Sequence, residues 1–414
     1  MKKLISNLFV NYSTSLVGFL ITILCARILG ATEYAWMIFG FAVAGFLIPI
    51  INLGNEGTFV RDAVAAGNAN DVERMINTSF GIRVMLTLML SCLLAIASVL
   101  YTANYFDAMA MFSLSLWASL LGLYSSSWYD YLHATKLQNT LVLMERITSL
   151  AILVALYFMP EYLHLAFVVG MVLLFVRVFS ISLQVKIWWK LFGVGQFKWH
   201  LTLTRKSIGG VNFHVATALF FNSLATYGNQ LVLSNYHEKA ELASYGLVFQ
   251  IMSLIFIFQN LGIRLMSRKV AETCKLKLGI ISSILKNVII ISLGSAVLSL
   301  AVWVGIKYLH IFLADPKFES MSKYSTTLCI WVVVSGAGQV ITQHNLALHQ
   351  ESFYLWLAII GGIIALSLGV TLVPSYGAEA VGDILLGVSV ALISSEFARV
   401  IFIVKGRLEY KVKV

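Results

Sequence analysis

The chain has 414 residues, of which 59% are hydrophobic and 12% are charged, and its mean hydropathy is +0.86. Soluble domains carry about 45–50% apolar and about 25% charged residues. The charged side chains of this chain are therefore too few to cover a water-exposed surface. The composition excludes soluble domains and predicts an integral membrane protein. The formal charge of +10 is interpreted below as a signal of topology, and no nucleic-acid partner is expected.

Apolar runs of about 20 residues, the length that crosses a bilayer as a helix, predict twelve transmembrane helices and an all-α fold. The length of the runs, without alternation of polar and apolar residues, favours helices over barrel strands. The first run follows Lys2 and Lys3 and is expected to be retained rather than cleaved as a leader. In chain order the predicted spans are 4–28, 35–53, 84–101, 108–128, 141–158, 163–184, 207–233, 244–262, 287–306, 324–344, 353–373 and 379–404.

The basic residues predict which way these helices face. With the N-terminus in the cytoplasm, 21 of the 29 lysines and arginines fall inside, 4 fall outside and the remainder lie within spans. Positive loops stay in the cytoplasm, so both termini are predicted to be cytoplasmic. This count places Arg83 among the cytoplasmic residues that precede the third helix.

The chain is predicted to consist of two six-helix bundles around a central cavity. Residues 1–190 form the first bundle, 191–206 a basic cytoplasmic linker, and 207–414 the second bundle with a short tail. Short motifs recur in the same order in both halves: Asn-Leu-Gly ends the second helix of each half, and a basic residue, Arg83 or Lys286, opens the third. An even number of helices per repeat implies an axis along the membrane normal, as in transporters that rock around a central site.

No sequence pattern indicates an enzyme. The phosphate loop GxxxxGK[ST] and the hydrolase motifs HExxH and GxSxG do not occur. The four cysteines have no CxxC spacing and the eight histidines have no metal-ligand spacing. We therefore expect no cofactor and no metal.

Polar residues within the spans are candidates for substrate contact. Asn11 lies on a polar face of the first helix together with Thr14 and Gly18, and Asn222 and Asn229 share a face of the seventh. Such groups either bond between helices or line a hydrated cavity. Both interpretations are open for each residue.

Charged residues within or beside the spans form a second group of candidates. Glu145 and Arg146 are expected to open the fifth helix, Arg177 lies deeper in the sixth, and no acidic residue is expected at mid-depth in helices one to six. Arg27 ends the first helix on the external side, where anchoring and ligand contact are both open. Arg61, Arg264 and Arg268 lie at the cytoplasmic mouth, where guanidinium groups either mark topology or bind phosphate.

The twelfth helix carries three candidates for coupling or gating. They are Asp383 near its external end, and Glu396 and Arg399, whose three-residue spacing also allows them to pair with each other. Coupling to a proton or sodium gradient is allowed by these residues, but no motif identifies the ion.

Several segments together resemble one family. CARILGATEY at 25–34 resembles the ARxLG…Y signature of polysaccharide exporters of the multidrug/oligosaccharidyl-lipid/polysaccharide superfamily. Asn52–Ala65 is similar to the segment after their second helix, ASYG at 243–246 to the entry to their eighth, and DPKF at 315–318 to the loop before their tenth. Within the superfamily the chain most resembles O-antigen repeat-unit flippases of the Wzx type.

The resemblance implies an activity and its surroundings. Such proteins move undecaprenyl-diphosphate-linked oligosaccharides from the cytoplasmic to the periplasmic leaflet of the bacterial inner membrane by alternating access. It implies as partners the lipid-linked oligosaccharide, membrane lipid, and the polymerase and chain-length machinery. The family cavity is cationic, whereas deep cations are few in this sequence, essentially Arg177 and Arg146.

Three other functions are left open by the residues. A flippase for another undecaprenyl-linked glycan shares the architecture. A drug or cation antiporter of the same superfamily needs a deep carboxylate in the first half. A membrane polysaccharide polymerase, from a different class, needs a large external loop, and the longest, 307–323, is short.

Overall fold

The computed structural model describes residues 2–52, 59, 69–124, 128–129, 135–160, 165–192, 211–276, 279–313, 315–348, 350–404 and 406. Throughout these residues the regular structure is helical, and no strand occurs among them. Nine segments of the described chain are long and apolar enough to cross a membrane. The chain is a multi-pass, all-α membrane protein, as predicted.

The described helices follow the order of the twelve predicted spans. Two long helical segments, Lys2–Asn52 and Glu351–Val404, each contain two helices that meet at a glycine. A π-helical segment, Leu224–Gly228, divides the seventh helix. The bounds are α1 (2–29), α2 (31–52), α3 (Ala69–Tyr101), α4 (Tyr105–Ser119), α5 (Thr135–Tyr157), α6 (Ala166–Phe192), α7 (Val211–Ser223 and Asn229–Tyr236), α8 (Lys239–Leu276), α9 (Ile280–Leu313), α10 (Met321–Ala347), α11 (351–376) and α12 (378–404).

Two glycines make the joints between paired helices. Gly30 has φ 64° and Gly377 has φ 62°, a backbone conformation that glycine adopts without steric cost. The Glu241 carboxylate accepts the N–H of Ala378 across 2.8 Å and so fixes the start of α12. Each joint therefore turns the chain within a single residue.

Several helices begin earlier than the apolar runs indicate, and two of them, α3 and α5, bear on the charged residues. α3 begins at Ala69 rather than near residue 84, and α5 begins at Thr135 rather than near residue 141. In α3 the added turns carry Val72 and Ile76, which pack with Phe59 and Trp128 in one buried cluster. Such turns are amphipathic, with one packed face, and a window of uniform hydropathy misses them.

The helices group into two compact units, residues 1–220 and 221–414. In the first unit α4 packs on the α1–α2 segment and on α6, and in the second α10 packs on α8, α9 and the α11–α12 segment. The predicted linker at 191–206 falls mostly outside the described residues, which resume at 211 within α7.

A glycine permits a close helix contact in the first unit. A Cβ added at Gly40 would lie 2.9 Å from the backbone carbonyl carbon of Leu114, so α2 and α4 approach through the glycine. Close backbone approach at small residues is the usual way in which helices pack in membranes.

Candidate functional site

A buried ion pair joins α5 and α6 in the first unit. Arg177 Nε donates to Glu145 Oε1, and the two residues are 5% and 6% exposed. The Tyr124 hydroxyl, beyond the end of α4, donates to Glu145 Oε2, and Ser180 Oγ lies 3.2 Å from the same phenol oxygen. Arg177 Nη1 also donates to the Trp117 carbonyl across 3.3 Å. Both carboxylate oxygens thus have a donor, which offsets the cost of burying the pair.

A second guanidinium lies close to this pair. Arg83 on α3 is 1% exposed, and its Nη1 donates to the carbonyls of Gly122 and Tyr124 across 3.3 and 3.2 Å. Its guanidinium carbon lies 4.7 Å from the Trp128 ring centroid, a cation–π contact. Tyr124 therefore connects the two arginines: its carbonyl contacts Arg83, and its hydroxyl contacts the carboxylate that binds Arg177.

Arg146 is the third arginine of this region. Its Nη1 donates to the Thr14 carbonyl on α1 across 2.6 Å, and the charges of Glu145 and Arg177 both act on it. Gly18 leaves room for the side chain, since a Cβ there would lie 3.0 Å from Arg146 Cζ. The described part of the polar face of α1 thus contacts α5 of the same unit. Arg177 is the arginine that pairs with Glu145, and Arg146, the next residue on α5, bonds to α1 instead.

The structure corrects the sequence predictions for this region. Glu145 and Arg146 do not open the fifth helix: α5 begins at Thr135 and places both near its middle. An acidic residue therefore does lie at mid-depth in the first half. Arg83, counted with the cytoplasmic loop residues, lies inside α3. In each case the more polar residues that precede the apolar run are already helical and form the first turns of the same helix.

The second unit contains a polar cavity of about 370 Å³. Side chains from α7, α8, α10, α11 and α12 line it, and most of its polar groups are amides and hydroxyls. Asn222 Nδ2 donates to the Tyr354 hydroxyl across 2.6 Å at its wall. Gln339 Nε2 donates to Gln259 Oε1 across 3.0 Å and so joins the wall to a buried network on α8. We refer to this space as the C-unit cavity.

Among the residues that the structure describes, Glu396 is the single charged one that lines the C-unit cavity. It is 5% exposed, and its Oε2 accepts the Thr342 hydroxyl across 2.7 Å. The pairing with Arg399 that the spacing allows does not form in the structure: Arg399 Nε and Nη2 donate to Gln350 Oε1, before the start of α11, across 3.2 and 3.0 Å. Spacing of three residues makes such a contact available, but packing draws the guanidinium to the neighbouring helix, over Phe353.

Asn229 occupies a different place from Asn222. It is 0% exposed, and neither its Oδ1 nor its Nδ2 has a hydrogen-bond partner among the described residues. Its side chain packs against Gly369 of α11. Asn222 lines the C-unit cavity and Asn229 does not, so the structure separates these two predicted site residues.

Of the remaining predicted site residues, the structure describes the side chains of Arg27 and Asp383, and neither lines the C-unit cavity. Arg27 Nε donates to the Tyr157 hydroxyl across 3.2 Å in the first unit. Asp383 is exposed on α12, where it lines a groove of about 520 Å³ with Glu379 and Tyr376. Arg61 and the side chains of Asn11, Arg264 and Arg268 lie outside the described residues.

Sequence reasoning missed the depth of Arg83 and the roles of Tyr124 and Thr342. Arg83 had a usable signal, because Val72 and Ile76 recur at the spacing of a helical face that leads to it. Tyr124 and Thr342 had none. Their contacts depend on which helices pack together, and a single hydroxyl in an apolar run is common.

Comparisons with known proteins identify the family and the fold. The family model described as "Polysaccharide biosynthesis protein" matches residues 1–265, so the chain belongs to that family. No protein of curated function matches at a significant level.

Solved structures of the same fold are multidrug and related transporters of distant sequence. An inward-facing MATE family multidrug resistance transporter of the MOP superfamily has a TM-score of 0.63 at 12% identity, covering 97% of this chain and 96% of that one. The MATE multidrug transporter DinF-BH, solved as a complex, has 0.63 at 14%, covering 95% and 93%. A MOP superfamily transporter from Pyrococcus furiosus, noted for a binding pocket of reverse polarity, has 0.56 at 10%, covering 97% and 95%. The fold is that of MATE transporters.

Proposed function

We propose that this member of the polysaccharide biosynthesis protein family is a flippase for undecaprenyl-diphosphate-linked O-antigen repeat units. It moves the headgroup from the cytoplasmic to the periplasmic leaflet of the bacterial inner membrane by alternating access, with both of its termini in the cytoplasm. The observation that carries the proposal is the set of arginines in the first unit. Arg146 and Arg177 lie within membrane-spanning helices; Arg177 is paired with Glu145, and Arg146 donates to the Thr14 carbonyl.

Guanidinium groups at this depth fit a diphosphate. Charged side chains in membrane spans are costly and occur where they serve substrates or ions. A guanidinium presents a planar fork of donors that matches phosphate oxygens. Arg146 donates to a neutral group, the Thr14 carbonyl, so among the described residues this bond leaves its positive charge without a hydrogen-bonded counter-ion. No nucleotide-binding motif is present in the sequence.

The first test is a deletion strain. We expect surface O-antigen to disappear while undecaprenyl-diphosphate-linked single repeat units accumulate in lipid extracts analysed by mass spectrometry. The mass then identifies the sugars. Normal surface polysaccharide in the deletion strain would contradict the proposal.

A matched pair of variants tests the arginine site directly. In vesicles that contain the purified chain, Arg146→Gln is expected to slow flipping of the lipid-linked oligosaccharide by about tenfold or more, the value of a charge-assisted hydrogen bond. Arg74→Gln is the control, because Arg74 is an exposed arginine on α3, with 83% of its side chain accessible. Equal rates for both variants would remove the diphosphate argument.

A drug or cation antiporter is a second candidate, and one observation favours it. Such a protein needs a deep carboxylate in its first half, and Glu145 lies near the middle of α5. Its ion pair with Arg177 distinguishes it from a free cation ligand. Raised sensitivity of the deletion strain to toxic cations, with normal surface polysaccharide, would favour this function instead.

A further inference from the structure

We propose that the C-unit cavity binds a sugar residue of the transported glycan, that it accepts neutral or amine-bearing sugars, and that Glu396 excludes acidic ones. The inference rests on the proposed function for the identity of the molecule that carries the sugar. It adds a class of substrate and names the residue that selects it.

The cavity has the size and the chemistry of a small-molecule site. Its volume of about 370 Å³ falls within the range of about 300–1,000 Å³ that is usual for such sites. Gln339, Gln343 and Asn260 offer amide donors and acceptors, and Ser335 and Ser389 offer hydroxyls. A sugar residue presents hydroxyl groups that both donate and accept in every direction, which is the complement of such a wall.

The charge of the cavity is carried by one group. The Glu396 carboxylate is 5% exposed and lines the cavity, and its Oε2 is held by the Thr342 hydroxyl. Neither lysine nor arginine is among the described residues that line it. Arg399, one turn further along α12, donates to Gln350. Within this part of the chain, the carboxylate therefore lacks the cationic partner that Glu145 has in the first unit.

This imbalance selects among sugars. A buried carboxylate is stabilised by hydroxyl or ammonium donors and is destabilised by another anion nearby. Neutral sugars supply hydroxyls, and amino sugars supply an ammonium group. A uronic acid places a like charge against Glu396, and a built-in repulsion of this kind is an effective source of specificity.

Two observations favour a sugar over a bare coupling ion at Glu396. A proton needs no surrounding space, and a dehydrated monovalent cation fills far less than about 370 Å³. A cation site also gathers oxygen ligands close to the carboxylate, whereas here the amides that line the cavity are spread over α7, α8 and α10. The coupling role for Glu396 is the competing interpretation, and it predicts different behaviour.

The test is equilibrium binding of three soluble disaccharides to the full chain in detergent micelles, measured by isothermal titration calorimetry. The probes are N,N′-diacetylchitobiose, which is neutral, chitobiose with free amines, and digalacturonic acid. We expect the acidic probe to bind at least about tenfold more weakly than the neutral one. Glu396→Gln is expected to raise the affinity for the acidic probe by about tenfold and to remove any preference for the amine.

Asp383→Asn is the matched control, because Asp383 is an exposed carboxylate on the same helix that does not line the C-unit cavity. It is expected to leave all three affinities unchanged. The proposal is overturned if none of the three probes binds, or if Glu396→Gln leaves the ratio of acidic to neutral affinity unchanged.

The flipping assay separates this inference from the proposed function. Loss of flipping of a neutral lipid-linked oligosaccharide in Glu396→Gln, with disaccharide binding unchanged, overturns the sugar assignment in favour of coupling. Disaccharide binding as expected, in a chain that flips no lipid-linked oligosaccharide, overturns the proposed function and leaves the cavity assignment in place.

Discussion

The two units of this chain use the same order of helices but bury opposite arrangements of charge. In the first unit, Glu145 on α5 is bonded to Arg177 on α6 and to the Tyr124 hydroxyl. In the second, Glu396 on α12 faces a polar cavity with Thr342 as its bonded neighbour. Similar sets of helices thus accommodate a carboxylate paired with a buried arginine in one half and a carboxylate that faces a polar cavity in the other.

The two basic residues that the sequence matches in the third helix of each half, Arg83 and Lys286, also differ in their surroundings. Arg83 is buried against the Trp128 ring in the first unit, and Lys286 is exposed on α9 in the second. Matching position in the two repeats therefore does not imply matching environment. The first unit buries Arg83 and Arg177 in its interior. In the second unit, Lys286, the residue matched to Arg83, lies on the surface.

Removing one charge from each unit tests this difference most strongly. Glu145→Gln is expected to lower the free energy of unfolding by about 3–5 kcal/mol, because it leaves Arg177 buried without a counter-ion. Glu396→Gln is expected to change it by less than about 1 kcal/mol, because the Thr342 hydroxyl still donates to the amide oxygen and no cation is stranded. Reversible unfolding in mixed micelles, followed by circular dichroism, measures both. Equal losses would mean that the two carboxylates are stabilised alike.

The basic pair gives a smaller difference. Arg83→Leu is expected to lower the free energy of unfolding by about 2 kcal/mol, through loss of the desolvated cation–π contact with Trp128. Lys286→Leu, an exposed change, is expected to stay within about 0.5 kcal/mol of the parent. Arg83→Lys should recover part of the loss, because an ammonium cannot reproduce the guanidinium fork. The same unfolding measurement applies, and indistinguishable values for Arg83→Leu and Lys286→Leu would contradict the burial of Arg83.

The wall of the C-unit cavity gives the smallest effect. Asn222→Leu, Tyr354→Phe and the double variant form a mutant cycle around the bond between Asn222 Nδ2 and the Tyr354 hydroxyl. The coupling free energy is expected to be about 0.6–1.7 kcal/mol, the range for hydrogen bonds between membrane helices. Unfolding of the four proteins under one set of conditions measures it. A coupling of zero would indicate that both groups prefer other partners.

The helices were predictable from the sequence, and the depth of their charges was not. Long apolar runs gave every helix in order, because a bilayer permits few other structures. The runs hide amphipathic turns such as 69–83 and 135–140, so Arg83 and Glu145 seemed to lie at helix ends when they lie inside α3 and α5.

The partners of the charged residues were likewise beyond the reach of the sequence. Spacing along α12 allowed a pair between Glu396 and Arg399. The acceptor that Arg399 contacts is instead Gln350, which lies just before the start of α11. The contact of Glu145 with Arg177 joins two different helices. Which helices pack face to face depends in part on small residues such as Gly40, where two helices approach closely. Local sequence patterns do not predict which distant side chains are brought together in this way.

The joints at Gly30 and Gly377 leave two helices with nothing between them but one residue. The two helices of each pair are consequently connected through two torsion angles, φ and ψ of that glycine, with no further linker residues between them. Any change in the angle between the two helices requires rotation about those two bonds. A peptide inserted beside either glycine would separate the two helices and remove this direct connection. These two positions are therefore poor choices for an epitope tag.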